Sequence, residues 1–228
     1  MRSERSASKA GDAAGTFTSA ARRAQFVAAA IDTIAEVGYA RASLGRIAGR
    51  VGVSKGVISY HFAGKEELVQ EVLAHIAATG GAFVYARALT LPTAAERLRA
   101  WIESILEYTA THRAETVAFH EIVTGSQGDA AVSAAVARLV TDVTPAVRAL
   151  FADGQASGEF RTDFDPQAAT TAIMAIIDAV PPRMARDPDF DVARYGREVA
   201  GLVDAATRRP SPPETGAGTT SPGQGSQG

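Results

Sequence analysis

Between Gly52 and Leu68 the chain reads GVSKGVISYHFAGKEEL. Lys55, Ser59, Tyr60 and His61 can donate hydrogen bonds, stack or carry charge, and Ser54 stands where a helix would begin. Gly56 costs about 1 kcal/mol relative to alanine inside a helix, so its presence implies close approach of the backbone to something. The chemistry this offers is recognition of base edges and phosphates by a short exposed helix. Other reactive side chains are sparse. His112, Glu115, His120 and Glu121 lie near one another in sequence. A dinuclear carboxylate centre in a helical bundle needs two Glu-x-x-His motifs and two further glutamates. The chain offers one reversed His112-x-x-Glu115 and no cysteine. There is no phosphate-cradling glycine loop and no nucleophile elbow. No catalytic residue, metal or cofactor is assigned, and the chain is not expected to be an enzyme.

The elements that must hold these groups follow from caps and periodicity. Ser43 caps a short helix whose Leu44, Ile47, Ala48 and Val51 fall at i, i+3, i+4 and i+7. Gly52 ends it, and Ser54 caps a second short helix finishing near Phe62. Ile58 and Phe62 point back to a core, so Lys55, Gly56, Ser59 and Tyr60 face outward. Two short capped helices around a tight turn make a helix-turn-helix, whose second helix enters the DNA major groove.

A helix from Ser19 to Val37, stopped by Gly38, precedes the motif. A further helix runs from Gly64-Lys65 to the pair Gly80-Gly81. Others are expected over Thr93–His112, Ala114–Thr124 and Asp129–Ser157, the last kinked at Pro145. Asp165-Pro166 opens another that Pro181-Pro182 stops, and a final one starts near Asp191. The fold class is all-α, with about nine helices. Residues 1–17 read as a disordered leader, 18–64 as the helix-turn-helix unit, 65–208 as a second helical domain, and 209–228 as a disordered Pro/Gly/Ser-rich tail.

Charge is unevenly spread. Residues 19–65 carry seven basic and two acidic side chains, whereas 66–208 carry twelve basic and twenty acidic. A basic unit on an acidic body suits a polyanion partner for the first part alone. The start has no signal-like apolar stretch, and no window reaches the roughly 18 uninterrupted apolar residues of a membrane helix. The expectation is a soluble, cytoplasmic protein without a membrane partner.

The stretch GYARASLGRIAGRVGVSKGVISYHFAGKEEL resembles the DNA-binding domain of TetR/AcrR-type transcriptional regulators. Gly38-Tyr39, Ser43, Ile47-Ala48, Gly52-Val53-Ser54-Lys55-Gly56, Tyr60-His61-Phe62 and Lys65-Glu66-Glu67-Leu68 carry the likeness. The segments SGEFRTDFDPQAAT, IIDAV and DPDFDVARYGREV are similar to the carboxy-terminal effector domain of one branch of that family. The resemblance implies a homodimeric repressor bound to a pseudo-palindromic double-stranded operator and released by a small-molecule effector. Residues 65–208 would then be the ligand-binding and dimerisation domain. Matched by position, Ser54, Lys55, Gly56, Val57, Tyr60 and His61 fall where the family contacts DNA. Ser43 and Lys65 fall where it meets phosphates. Val57 stands where a hydroxyl or amide is common, and Ser59 where an aromatic is frequent, so the operator sequence cannot be read across.

In the second domain Trp101, Ile105, Tyr108, Phe119 and Met174 are candidates to line an effector cavity. Their spacing suits an ordinary core equally well. Ile173, Ile176, Ile177, Val180, Tyr195 and Val199 exceed what one inward stripe needs and are candidates for a two-fold interface. A helical-bundle enzyme and a helical interaction protein without DNA are the alternatives; the sparse inventory of reactive side chains argues against the first, and residues 52–68 argue against the second.

Overall fold

Gly38 and Gly52 both adopt left-handed backbone, at φ of 83° and 72°, and each ends the helix before it. These stops isolate the short helices of the amino-terminal head. The computed structural model describes residues 4–88, 90–187 and 189–209, with side chains from residue 19 onward except 140 and 142. Ten helical segments occur among them: α1 (Glu4–Val37), α2 (Leu44–Arg50), α3 (Lys55–His61), α4 (Lys65–Ala88), α5 (Ala94–Thr111), α6 (Arg113–Gly125), α7 (Ala130–Ala156), α8 (Pro166–Asp178), α9 (Val180–Arg186) and α10 (Val192–Thr207). The fold is all-α; a single isolated bridge joins Phe160 to Arg208.

Local chemistry starts most of these helices. Ser43 accepts the Arg46 N–H, Asp129 those of Ala131 and Val132, Asp165 that of Gln167, and Asp191 that of Arg194. Thr93 and Glu96 form a reciprocal capping box at α5.

Three boundaries differ from expectation. α1 begins at Glu4 rather than Ser19, so most of the expected leader is continuous with helix; that stretch contains no proline to break it. The expected tail from Pro210 lies outside the described residues. α4 runs through Gly80-Gly81 to Ala88. Gly80 is buried, and a Cβ there would lie 3.4 Å from the Tyr108 ring, so this glycine lets two helices approach instead of ending one. Finally, Pro181-Pro182 do not stop α8. They occupy the first turn of α9, where a missing N–H is tolerated.

Two apolar cores hold the helices. The first joins Phe26, Ile34, Ile47, Ile58 and Phe62 to Leu68, Val72 and Leu73 of α4, and to Ala118, Ile122 and Val132 of α6 and α7. The second joins Val84, Leu98, Trp101, Ile102 and Leu106 to Phe151, Phe160, Ile173, Val180, Met184 and Val199. The head therefore shares its core with three helices of the body. α4 and α7 are long and apolar enough to cross a membrane by length and composition alone. In α4 the side chains of Leu68, Val69, Val72, Leu73, Ile76 and Val84 are buried within these cores.

Candidate nucleic-acid interface and effector region

The short helix α3 is divided as its sequence implies. Ile58 and Phe62 are 0% and 1% exposed, whereas Tyr60 is 85% and Val57 38% exposed. Ser54, Lys55, Gly56 and Ser59 are also exposed. Ser54 occupies the N-cap position without a side-chain capping bond, so its hydroxyl is not committed to the helix. His61 is half-buried, with its ring 5.6 Å from Phe26 and edge-on to Tyr60 at 5.2 Å. It links the exposed phenol to the core.

The basic residues divide less evenly than a charge count implies. Arg23, on α1, donates to the His61 carbonyl at the end of α3 and sits 4.2 Å over the Phe62 ring. It also pairs with Glu67 at 3.2 Å and Glu71 at 2.9 Å. Arg50 pairs with Glu36 at 2.7 Å. Lys65 donates to the Tyr39 carbonyl and lies 3.8 Å from the centre of the Tyr39 ring. Burial holds its ammonium below the ordinary lysine value, with Glu66 and Asp129 opposing. Lys65 was expected beside a phosphate and instead has internal partners. Ser43, expected there too, is exposed and accepts the Arg46 N–H as the α2 cap, a bond that does not use its O–H donor. Arg46 and Lys55 are exposed and make no side-chain hydrogen bond or ion pair among the described contacts, although Arg50, with help from the Arg46 charge, holds the Glu36 carboxyl below its ordinary value. Arg23 is the residue that sequence reasoning passed over. It was one member of a basic run, and its partners lie 38 to 48 positions away.

The effector candidates are distributed rather than gathered. Trp101, 4% exposed, belongs to the second core, with Ile105 and Met174 partly buried against it. Phe119 packs on the first core. Tyr108 stacks on His112 at 4.1 Å and 13°, with Phe83 at 5.7 Å. Its hydroxyl donates to Glu115 and contacts Thr79 at 2.9 Å, while His75 lies 3.6 Å from Glu115. Burial and the Glu115 carboxylate raise the Tyr108 phenol well above its usual value. A cleft of about 540 Å³ opens between α1, α4 and α6, lined by Arg23, Val27, Ile31, Asp32, His75 and Glu115 among others. A smaller one of about 350 Å³ lies at Thr141, Pro145, Arg148 and Gln167. Neither includes Trp101, Ile105, Tyr108, Phe119 or Met174. Among the described residues no three His, Asp or Glu side chains group as metal ligands.

The interface candidates also separate. Ile173, Val180 and Val199 are 2%, 1% and 3% exposed inside the protomer's own second core. Ile176, Ile177 and Tyr195 are half-buried at its edge. On α10 the exposed apolar residue is Leu202, at 70%. A helix that is apolar on two sides buries one of them at home, and the sequence could not say which.

Residues 26–72 match the family described as bacterial regulatory proteins, tetR family, and residues 94–208 match the BetI-type transcriptional repressor carboxy-terminal domain. The HTH-type transcriptional regulator BetI 1 of Chromohalobacter salexigens is 40% identical over 83 residues, covering 36% of this chain and 41% of that protein. The chain spans less than half the length of the first curated relatives it matches, 41% and 49% for two of them. Among solved structures, a putative transcriptional regulator from Saccharomonospora viridis in complex with choline aligns with a TM-score of 0.74 at 21% identity, covering 84% of this chain and 100% of that one. FadR of Bacillus subtilis in complex with stearoyl-CoA aligns with a TM-score of 0.68 at 22% identity, covering 81% and 98%. With its helix-turn-helix and its carboxy-terminal half both matched, the chain belongs to the TetR family of bacterial transcriptional regulators, in the branch whose carboxy-terminal domain is BetI-type.

Proposed function

We propose that the chain is a ligand-responsive repressor in the cytoplasm that binds a pseudo-palindromic duplex as a homodimer and leaves it when a small molecule binds the body. The observation that carries this reading is α3, which anchors Ile58 and Phe62 in the core and offers Lys55, Gly56, Val57, Ser59 and Tyr60 to a groove. Residues 18–64 are the reading unit and 65–208 the effector and dimerisation unit, joined by one shared core. The partly exposed Ile176, Ile177 and Tyr195, with Leu202, are the apolar groups available to a two-fold contact of α8 and α10. The neighbours' ligands, choline and stearoyl-CoA, differ so much in size that the fold alone selects no effector class.

The test is selection of duplexes from a random pool with the full chain, followed by salt titration. Two to four phosphate contacts per subunit, from Lys55, Arg46 and the less committed Arg22 and Arg41, give a slope of log affinity on log salt of roughly −4 to −7 for a dimer. Lys55→Ala and Tyr60→Ala should abolish the shift while leaving helix content unchanged. A chain that enriches no duplex, or variants that bind as wild type does, would overturn the reading.

A further inference from the structure

Tyr39 lies in the loop between α1 and α2 and is 8% exposed. Three separate elements hold it. Its hydroxyl donates to Asp129 Oδ2 at 3.2 Å. Its ring faces the Lys65 ammonium at 3.8 Å, and its carbonyl accepts from that same ammonium and from the Ala42 N–H. Gly125, closing α6, lies so near that a Cβ there would be 3.0 Å from Tyr39 Cβ. Asp129 divides its two oxygens. Oδ1 accepts the N–H groups of Ala131 and Val132, both at 3.1 Å, and so starts α7, while Oδ2 takes the phenol of the head.

We propose that Tyr39, Lys65 and Asp129 form a latch that sets the angle of the reading head on the body, with Tyr39 as a positioning residue for operator spacing. The proposal rests on the repressor reading above. The head is joined to the body by α4 and by the apolar core that α1 shares with α6 and α7. To that non-directional packing the latch adds a directional polar attachment, from the start of α7 to the loop that leads into α2. The three side chains form an alternating series of ammonium, phenol ring and carboxylate, each satisfied by the next. Burial, aided by Asp129, pushes the Tyr39 phenol up to about 12, so its proton stays available for the carboxylate throughout the physiological range. Because α7 packs against α4, α5 and α8 in the body, a shift of its first turn reaches the α1–α2 loop directly through Asp129 as well as through α4.

The substitutions separate this role from a merely structural one. Tyr39→Phe keeps the ring against Gly125 and Lys65 and removes only the bond to Asp129. Asp129→Ser keeps an N-cap for α7 but is too short to reach the phenol. In Asp129→Asn the carbonyl caps and the amide N–H donates to the phenol oxygen, so the latch is retained. Duplexes selected by the wild-type chain would be remade with the spacer between half-sites one base pair longer or shorter. We expect the preference for the selected spacing to fall about fivefold in Tyr39→Phe and in Asp129→Ser, the worth of one net hydrogen bond, and to stay at the wild-type level in Asp129→Asn. Lost stability alone would lower the active fraction without changing that ratio. Unchanged preference in both Tyr39→Phe and Asp129→Ser would overturn the latch. Hydrogen exchange of the free protein gives a second reading that needs no DNA: amides of α2 and α3 should exchange faster in Tyr39→Phe than in wild type. Should no duplex be enriched, the repressor reading fails, and equal exchange in the two proteins would then overturn the latch as well.

Discussion

Gly154→Ala should destabilise the protein, although alanine is the better helix former. Gly154 lies inside α7, and an alanine Cβ would stand 2.1, 2.3 and 2.7 Å from three carbons of the Phe160 ring. Separations below 3.0 Å require one side to move by about an ångström. Phe160 has little room to do so. It is 3% exposed, its ring packs on Phe151 at 6.5 Å, and its N–H is bonded to the Gly154 carbonyl at 2.9 Å. The adjoining strand of chain is fixed to α10 through the Arg161 N–H on the Thr207 carbonyl and the Phe160–Arg208 bridge. Overpacking of this kind costs about 3 kcal/mol at the upper end of its usual range. The gain in helix propensity returns about 1 kcal/mol, leaving a net loss of about 2 kcal/mol. For a chain of this size that lowers Tm by about 4–8 °C. The matched control is Gly49→Ala in α2, where nothing lies within 4 Å of the added Cβ. Its stability should rise by about 0.5–1 kcal/mol. The assay is thermal unfolding by circular dichroism at equal protein concentration. A Gly154→Ala protein as stable as wild type would show that the Phe160 ring can retreat, and the reasoning would fail.

Glu159 accepts the Ala94 and Ala95 N–H groups at 3.1 and 2.9 Å, and these donors hold its carboxyl below the usual value of 4.5. A lowered pKa contributes stability that is complete above the unfolded value and lost as pH falls through the folded one. The difference in Tm between wild type and Glu159→Gln should therefore be largest near neutrality and shrink below pH 4.5; a difference constant from pH 7 to 3 would remove this role. Leu202→Glu should yield folded monomers in sedimentation, whereas Val199→Glu should unfold the body, because Leu202 is 70% and Val199 3% exposed. A dimeric Leu202→Glu would move the interface elsewhere. Trp101→Ala, at a 4% exposed site, should lose about 3–5 kcal/mol in denaturant unfolding, and a loss below 1 kcal/mol would mean that Trp101 borders a cavity rather than filling a core.

What could be read from the chain alone was local. Ser43, Thr93, Asp129, Asp165 and Asp191 announce helix starts because a cap and the N–H it satisfies lie within three residues of each other. The helix-turn-helix is legible for the same reason: Gly52, Ile58 and Phe62 fix its turn and its buried edge within a dozen positions. Periodicity states that a helix has an apolar face, but not what meets it. Only the folded chain decided that Arg23, Arg50 and Lys65 hold the head together while Lys55 and Arg46 stay exposed, since each partner comes from another element. It likewise turned Ile173, Val180 and Val199 into the protomer's own core, made Gly80 a seat for Tyr108, and divided the effector candidates between two cores. Contacts between residues on different elements depend on how helices cross, and the one-dimensional pattern of a single helix does not contain that angle.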